Sequence, residues 1–203
     1  MKLYGSLTSP FVRTARIAAI ELGLGDQVVL TPTVVRPTQP NRDYGAKVNP
    51  LRRVPALETE AGEIFLDSRV IVEFLNKAAK GTIVPKGAAA RIACFNRHAV
   101  IAGATEALVS AMYETRLRPE ERRWPEWTAD QIDKAHAVFD WAETRIDDIG
   151  AEFDLAAISL VCLISYAQFR FASIDWLATR PRLAAFAEAM AKRPSVAATM
   201  PRE

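Results

Sequence analysis

Between Lys2 and Gly23 the chain reads as a strand, a polar turn and a helix. Lys2-Leu3-Tyr4-Gly5 is a short apolar strand, Ser6-Leu7-Thr8-Ser9 is the turn, and Pro10-Phe11 leads into a helical run from Val12 to Leu22. Ser9 stands at the N-cap and Pro10 at the first helical position, where a missing N–H is harmless and a fixed φ favours the helix. Phe11, Ala15, Ile17, Ala18, Ile20 and Leu22 supply an apolar face of helical period, and Gly23 ends it. Taken alone, Ser9 is a helix cap. Its hydroxyl is also held at the positive end of a helix, a position that favours an anion or a thiolate.

At 203 residues the chain has room for one large or two small domains. Its net charge of +2 gives no field to attract nucleic acid or an anionic membrane. Cys94 and Cys162 lie far apart without metal-ligand spacing, so no disulfide framework or metal site is implied and a reducing cytoplasm fits. The N-terminus has no apolar run of signal-peptide length. Leu155 to Phe169 is too short and too polar to span a bilayer, and reads as a buried helix.

Gln27 to Val35 is β-branched and predicts a second strand, parallel to the first because a helix lies between them. Arg36 to Pro50 reads as a loop with at most one helical turn near Asp43. Val54 to Leu57 and Ile64 to Leu66, joined through Gly62, predict a hairpin, and Ser68 opens a helix of ten or so residues. Gly81 to Gly87 is a linker, and everything after it is helical: Ala88 to Leu117 with Gly103 as a point of kinking, Thr128 to Ile149 capped by Thr128, the buried helix capped by Asp154, and Pro181 to Lys192. Phe153 and Ile158 are spaced as a hydrophobic staple across the start of the buried helix. Arg193 to Glu203 is a tail.

The expected architecture is therefore an α/β βαβ-ββα unit with a mixed sheet (residues 1–80), a linker (81–87) and an all-α bundle (88–203). Three motifs make this specific. Ser9-Pro10-Phe11 after the first strand, Arg53-Val54-Pro55-Ala56-Leu57, and Asp67-Ser68 at a helix start resemble the cytosolic glutathione transferase superfamily. The likeness extends over essentially the whole chain, and Ser-Pro-Phe is similar to the serine-type tau pattern, at the place where omega-type members carry Cys-Pro-Phe. The resemblance implies a thioredoxin-like first domain, a cis bond before Pro55, glutathione as co-substrate without a metal, and a cytoplasmic homodimer.

It also implies roles for individual residues. Ser9 would hold the glutathione sulfur, with Thr8 as the rival donor. Phe11, Arg53, Val54, Pro55, Asp67 and Ser68 would bind glutathione: Val54 by backbone pairing, Arg53 at the glycyl carboxylate, Ser68 and Asp67 at the γ-glutamyl end. Met112, Tyr113 and Arg116 are candidates, by position, for the pocket of a small hydrophobic electrophile. The reaction would be conjugation or glutathione-dependent peroxide reduction; the alternative is a non-catalytic carrier or protein-interaction module on the same fold. His98, His136, Trp124, Trp127 and both cysteines read as structural, and Arg116 to Arg123 as a solvated loop. One departure from the family pattern is Ala157, which leaves the capping box opened by Asp154 without its reciprocal half, a loss on the order of 1 kcal/mol.

Overall fold

The computed structural model describes all 203 residues. Strand β1 (Lys2–Gly5) leads through Ser9 into helix α1 (Pro10–Glu21), followed by β2 (Val29–Pro32), α2 (Arg42–Lys47), β3 (Ala56–Glu58), β4 (Ile64–Leu66) and α3 (Ser68–Ala78). The sheet order is β2-β1-β3-β4, with β1 parallel to β2 and antiparallel to β3. Helices α4 (Ala88–Arg116), α5 (Pro125–Gly150), α6 (Leu155–Arg170), α7 (Pro181–Ala191) and α8 (Pro194–Ala197) complete the chain. The fold is a thioredoxin-like four-stranded unit followed by a helical one, as the sequence leads one to expect.

Two glycines matter to how α1 is placed. A Cβ on Gly5 would come within 2.4 Å of Val12, so only glycine lets α1 lie this close on β1. Gly23 has φ +71° and closes α1: its N–H bonds to the Ile20 carbonyl (3.0 Å) and the Leu24 N–H to that of Ala19 (2.8 Å). Gly23→Ala should therefore destabilise by about 1 kcal/mol although the site has open space; urea denaturation checks this.

α1 is buried on two sides rather than one. Val12, Ala15 and Ala19 join Leu3, Leu57, Ile71 and Leu75 in the core under the sheet, whereas Ile17 and Ala18 belong to the larger helical core around α6. This accounts for the burial of Arg13 and Thr14, which the single-face reading left outside. Asp154 caps α6 as expected, accepting from the Ala156 and Ala157 N–H groups at 2.9 and 3.0 Å. The Gly81–Gly87 stretch is not a solvated tether: Ile83 and Val84 enter the helical core, and the Asn76 amide brackets Val84 by bonding both its N–H and its carbonyl.

Several boundaries differ from expectation. β2 is shorter than the β-branched run, and α2 has six residues where one turn was expected, capped by Asn41. α4 passes through Gly103 without a break. α5 begins at Pro125, three residues before Thr128, whose hydroxyl donates to the Trp124 carbonyl instead of capping. Trp124 is 63 % exposed rather than packed. The tail contains α8 and folds back on α1, where Arg13 donates to Thr199 Oγ1 and to the Val196 carbonyl, and Glu21 takes Arg193 and Ser195.

No helix is long and apolar enough to cross a membrane.

Candidate functional site

The strand register brings the three motifs together. Tyr4 of β1 pairs with Ala56 of β3, and Ala56 with Leu66 of β4. Because β3 runs against β1 and β4 against β3, the exit of β1 toward Ser9, the approach to β3 through Val54 and the exit of β4 toward Asp67 lie at one end of the sheet. Two strand spacings cover about 10 Å, close to the length of an extended tripeptide.

Ser9 is the N-cap of α1, and its Oγ accepts from the Val12 N–H at 3.3 Å. Capping uses a lone pair and leaves the hydroxyl hydrogen free to donate, so cap and thiolate donor are compatible roles. The Thr8 hydroxyl is paired with that of Ser6 at 3.1 Å.

Val54 precedes a cis bond to Pro55 and stands outside β3. Neither its N–H nor its carbonyl bonds within the chain. The segment is held from behind. Arg52 has φ +51°, and the Arg53 carbonyl accepts from Tyr44 Oη and Asn49 Nδ2, both at 2.8 Å. Asn49 is 4 % exposed and also accepts from the Leu51 N–H. Neither Tyr44 nor Asn49 was among the expected site residues; the signal was Asn49-Pro50, a turn pair just before the motif. Burial raises the Tyr44 hydroxyl to about 12, so it stays a donor. The Arg53 side chain is exposed.

Asp67 caps α3, its Oδ1 accepting from Arg69 N–H (2.9 Å) and Val70 N–H (3.2 Å). Oδ2 has no partner in the chain. Ser68, at the first helical position, is 5 % exposed and faces the same helix end. Phe11 is half-buried and lines a small cavity with Thr14, His98, Thr105, Ser159 and Cys162, between α1 and the helices α4 and α6.

Met112 and Tyr113 are half-buried on α4, and Arg116 is exposed one turn on. Burial raises the Tyr113 hydroxyl, while Arg36 and Arg53 oppose the shift. The Arg116 guanidinium donates to the Arg170 carbonyl at 3.3 Å, so α4 meets the end of α6 here. Tyr166 and Arg170 lie at the C-terminal end of α6.

Of the residues expected to be structural, His136 and both cysteines pack inside the fold, whereas Trp124 does not. His136 stacks on Trp176 with ring centroids 4.5 Å apart. Burial raises the Cys94 thiol to about 12 and raises Cys162 as well, so both are poor nucleophiles. No group of three or more His, Cys, Asp or Glu side chains comes together to hold a metal.

Comparison with known proteins agrees with this geometry. Residues 3–82 match the family model for the glutathione S-transferase N-terminal domain and residues 125–189 that for the C-terminal domain. An uncharacterized GST-like protein of Escherichia coli strain K12, YibF, is 31 % identical over 99 % of this chain and 98 % of its own length. The crystal structure of a glutathione transferase family member from Pseudomonas fluorescens Pf-5 with bound glutathione superposes with a TM-score of 0.95 at 32 % identity, over 100 % of this chain and 99 % of that one. The same description applies to a structure with bound S-(propanoic acid)-glutathione, at a TM-score of 0.91, 32 % identity and 99 % coverage of each chain. With both domain models matched in order and relatives aligned along nearly its full length, the chain belongs to the glutathione S-transferase family.

Proposed function

We propose that this chain is a glutathione transferase that uses Ser9 to hold the glutathione thiolate and conjugates it to a small hydrophobic electrophile. The observation that carries this is the convergence of Ser9, Val54 and Asp67-Ser68 at one end of the sheet, along the Tyr4, Ala56 and Leu66 row. On this reading residues 1–80 bind glutathione, 81–87 connect, and 88–203 supply the second substrate's surface. The unpaired Val54 peptide adds the tripeptide as a short strand. The Ser68 hydroxyl and the free N–H groups of α3 take the γ-glutamyl carboxylate, Asp67 Oδ2 its ammonium, and Arg53 the glycyl carboxylate.

The chemistry asked of Ser9 is modest. A free thiol titrates near ~8.5, and lowering that by about two units needs roughly 2.7 kcal/mol. One charge-assisted hydrogen bond beside a helix N-terminus is of that size. The thiolate then forms a bond to the electrophilic carbon, and the leaving group or the π electron pair carries the charge away. Hydroperoxide reduction would draw on the same thiolate. The relative's S-(propanoic acid)-glutathione is a thioether, the kind of product conjugation makes. A cytoplasmic homodimer belongs to the same reading.

Calorimetric titration of reduced glutathione tests the binding half. The native protein should bind saturably, and Ser68→Ala should weaken binding by about tenfold, the loss of one hydrogen bond to a charged group. No binding to the folded native protein would overturn the proposal.

A further inference from the structure

Beyond the glutathione row, the junction of α4 and α6 carries more cationic than anionic charge. Arg170 is the central group. Its side chain is only 9 % exposed, its Cζ lies 4.3 Å from the centroid of the Phe169 ring, and its Nε–H is buried without a partner. The one carboxylate on it is Glu203, whose Oε1 accepts from Nη1 at 2.5 Å and whose side chain is 73 % exposed. Arg116 sits on the Arg170 carbonyl, and neither Arg116, Arg36 nor Arg53 takes part in a salt bridge.

Two tyrosines lie on the same two helices. Tyr166, 3 % exposed, lies within the electrostatic reach of Arg170, Arg116 and Tyr113, and Tyr113 within that of Arg36 and Arg53. The two tyrosines come from different helices, each one turn before its arginine: Tyr113 before Arg116, Tyr166 before Arg170. A deeply buried guanidinium with a spare N–H is costly unless an anion satisfies it. An exposed carboxylate on a mobile-length side chain is an anion that a ligand can displace or share.

We infer that the second-substrate surface selects an electrophile bearing a carboxylate, bound by Arg116 and Arg170 with the Tyr113 and Tyr166 hydroxyls and in competition with Glu203. This rests on the glutathione reading above and narrows its electrophile to one with an apolar body, against Met112, and an acidic end. A carboxylate is favoured over other anions because the Arg170 fork already holds one.

The test compares two glutathione thioethers of matched length, S-propyl and S-(2-carboxyethyl), by calorimetry at fixed ionic strength. The carboxylate should bind about tenfold tighter or more in the native protein. That preference should fall to about twofold in Arg116→Gln and grow several-fold in Glu203→Gln, where the internal competitor is neutral. Equal binding of both thioethers by the native protein would overturn the inference while leaving the glutathione reading intact, as would a preference that survives Arg116→Gln. Failure of both thioethers to bind would overturn the glutathione reading itself.

Discussion

Ser9→Ala should lower kcat/KM for a small electrophile such as an activated aryl halide by about 10- to 100-fold, the loss of one hydrogen bond to a charged sulfur. The acid limb of its pH profile should move up by about one to two pH units, because the bound thiol returns toward its free value. The same change removes the α1 cap at Val12, which costs roughly 1 kcal/mol of stability. Ser9→Gly separates the two effects: glycine at an N-cap loses only a few tenths of a kcal/mol, yet it has no hydroxyl. Steady-state rates beside urea denaturation should therefore show both variants catalytically impaired and only the alanine variant clearly destabilised. Turnover unchanged in both variants and lost in Thr8→Ala would move the sulfur contact to Thr8.

Much of this site could be read from local signals. Ser9-Pro10 and Asp67-Ser68 are both helix starts, and a helix start is written within four residues of itself. The caps form as expected at Val12, Arg69 and Val70. The hairpin around Gly62, at φ +81°, was equally local, and it is the hairpin that turns Val54 and Asp67 to the same end of the sheet.

What escaped was carried by partners distant in sequence. Arg13 reads as a solvent-facing position of an amphipathic helix, yet its guanidinium is buried against Thr199, 186 residues away. Nothing within α1 encodes that contact. Trp124 failed for the opposite reason: an aromatic side chain suggests packing, but this one is placed by its backbone. Its N–H is taken by Glu114 at 2.9 Å, which caps the start of α5 from α4 and leaves the ring outside. Tyr166 and Arg170 sit at the end of a helix whose apolar run announced only burial; that its last turn meets Arg116 is a property of how α4 crosses α6.

His98 should make the protein lose stability as the pH falls from about 6.5 toward 4. Its Nδ1 lies 2.8 Å from Ser159 Oγ, and Ser159 donates its single hydrogen to the Leu155 carbonyl at 2.8 Å. Ser159 must then accept, so the ring is the neutral Nδ1–H tautomer and protonation would fall on Nε2. Burial is the first reason the charged form is disfavoured, and Arg69 adds to it against Asp67 and Asp154; together they lower the value to about 4. In the unfolded chain the ring titrates near ~6.5. Between those values the unfolded state holds the extra proton, so this contribution is complete above the unfolded value and shrinks on acidification. By pH 5 the loss amounts to about 2 kcal/mol. His98→Gln keeps a donor for Ser159 and cannot charge, so urea denaturation at pH 7.5 and pH 5 should give a pH dependence flatter than the native protein's by that amount. Equal slopes would show that His98 stays uncharged in both states or charges in both. Pro10 and Phe11 line the same cavity as His98, so the group that resists the proton sits at the seam that seats the Ser9 end of α1.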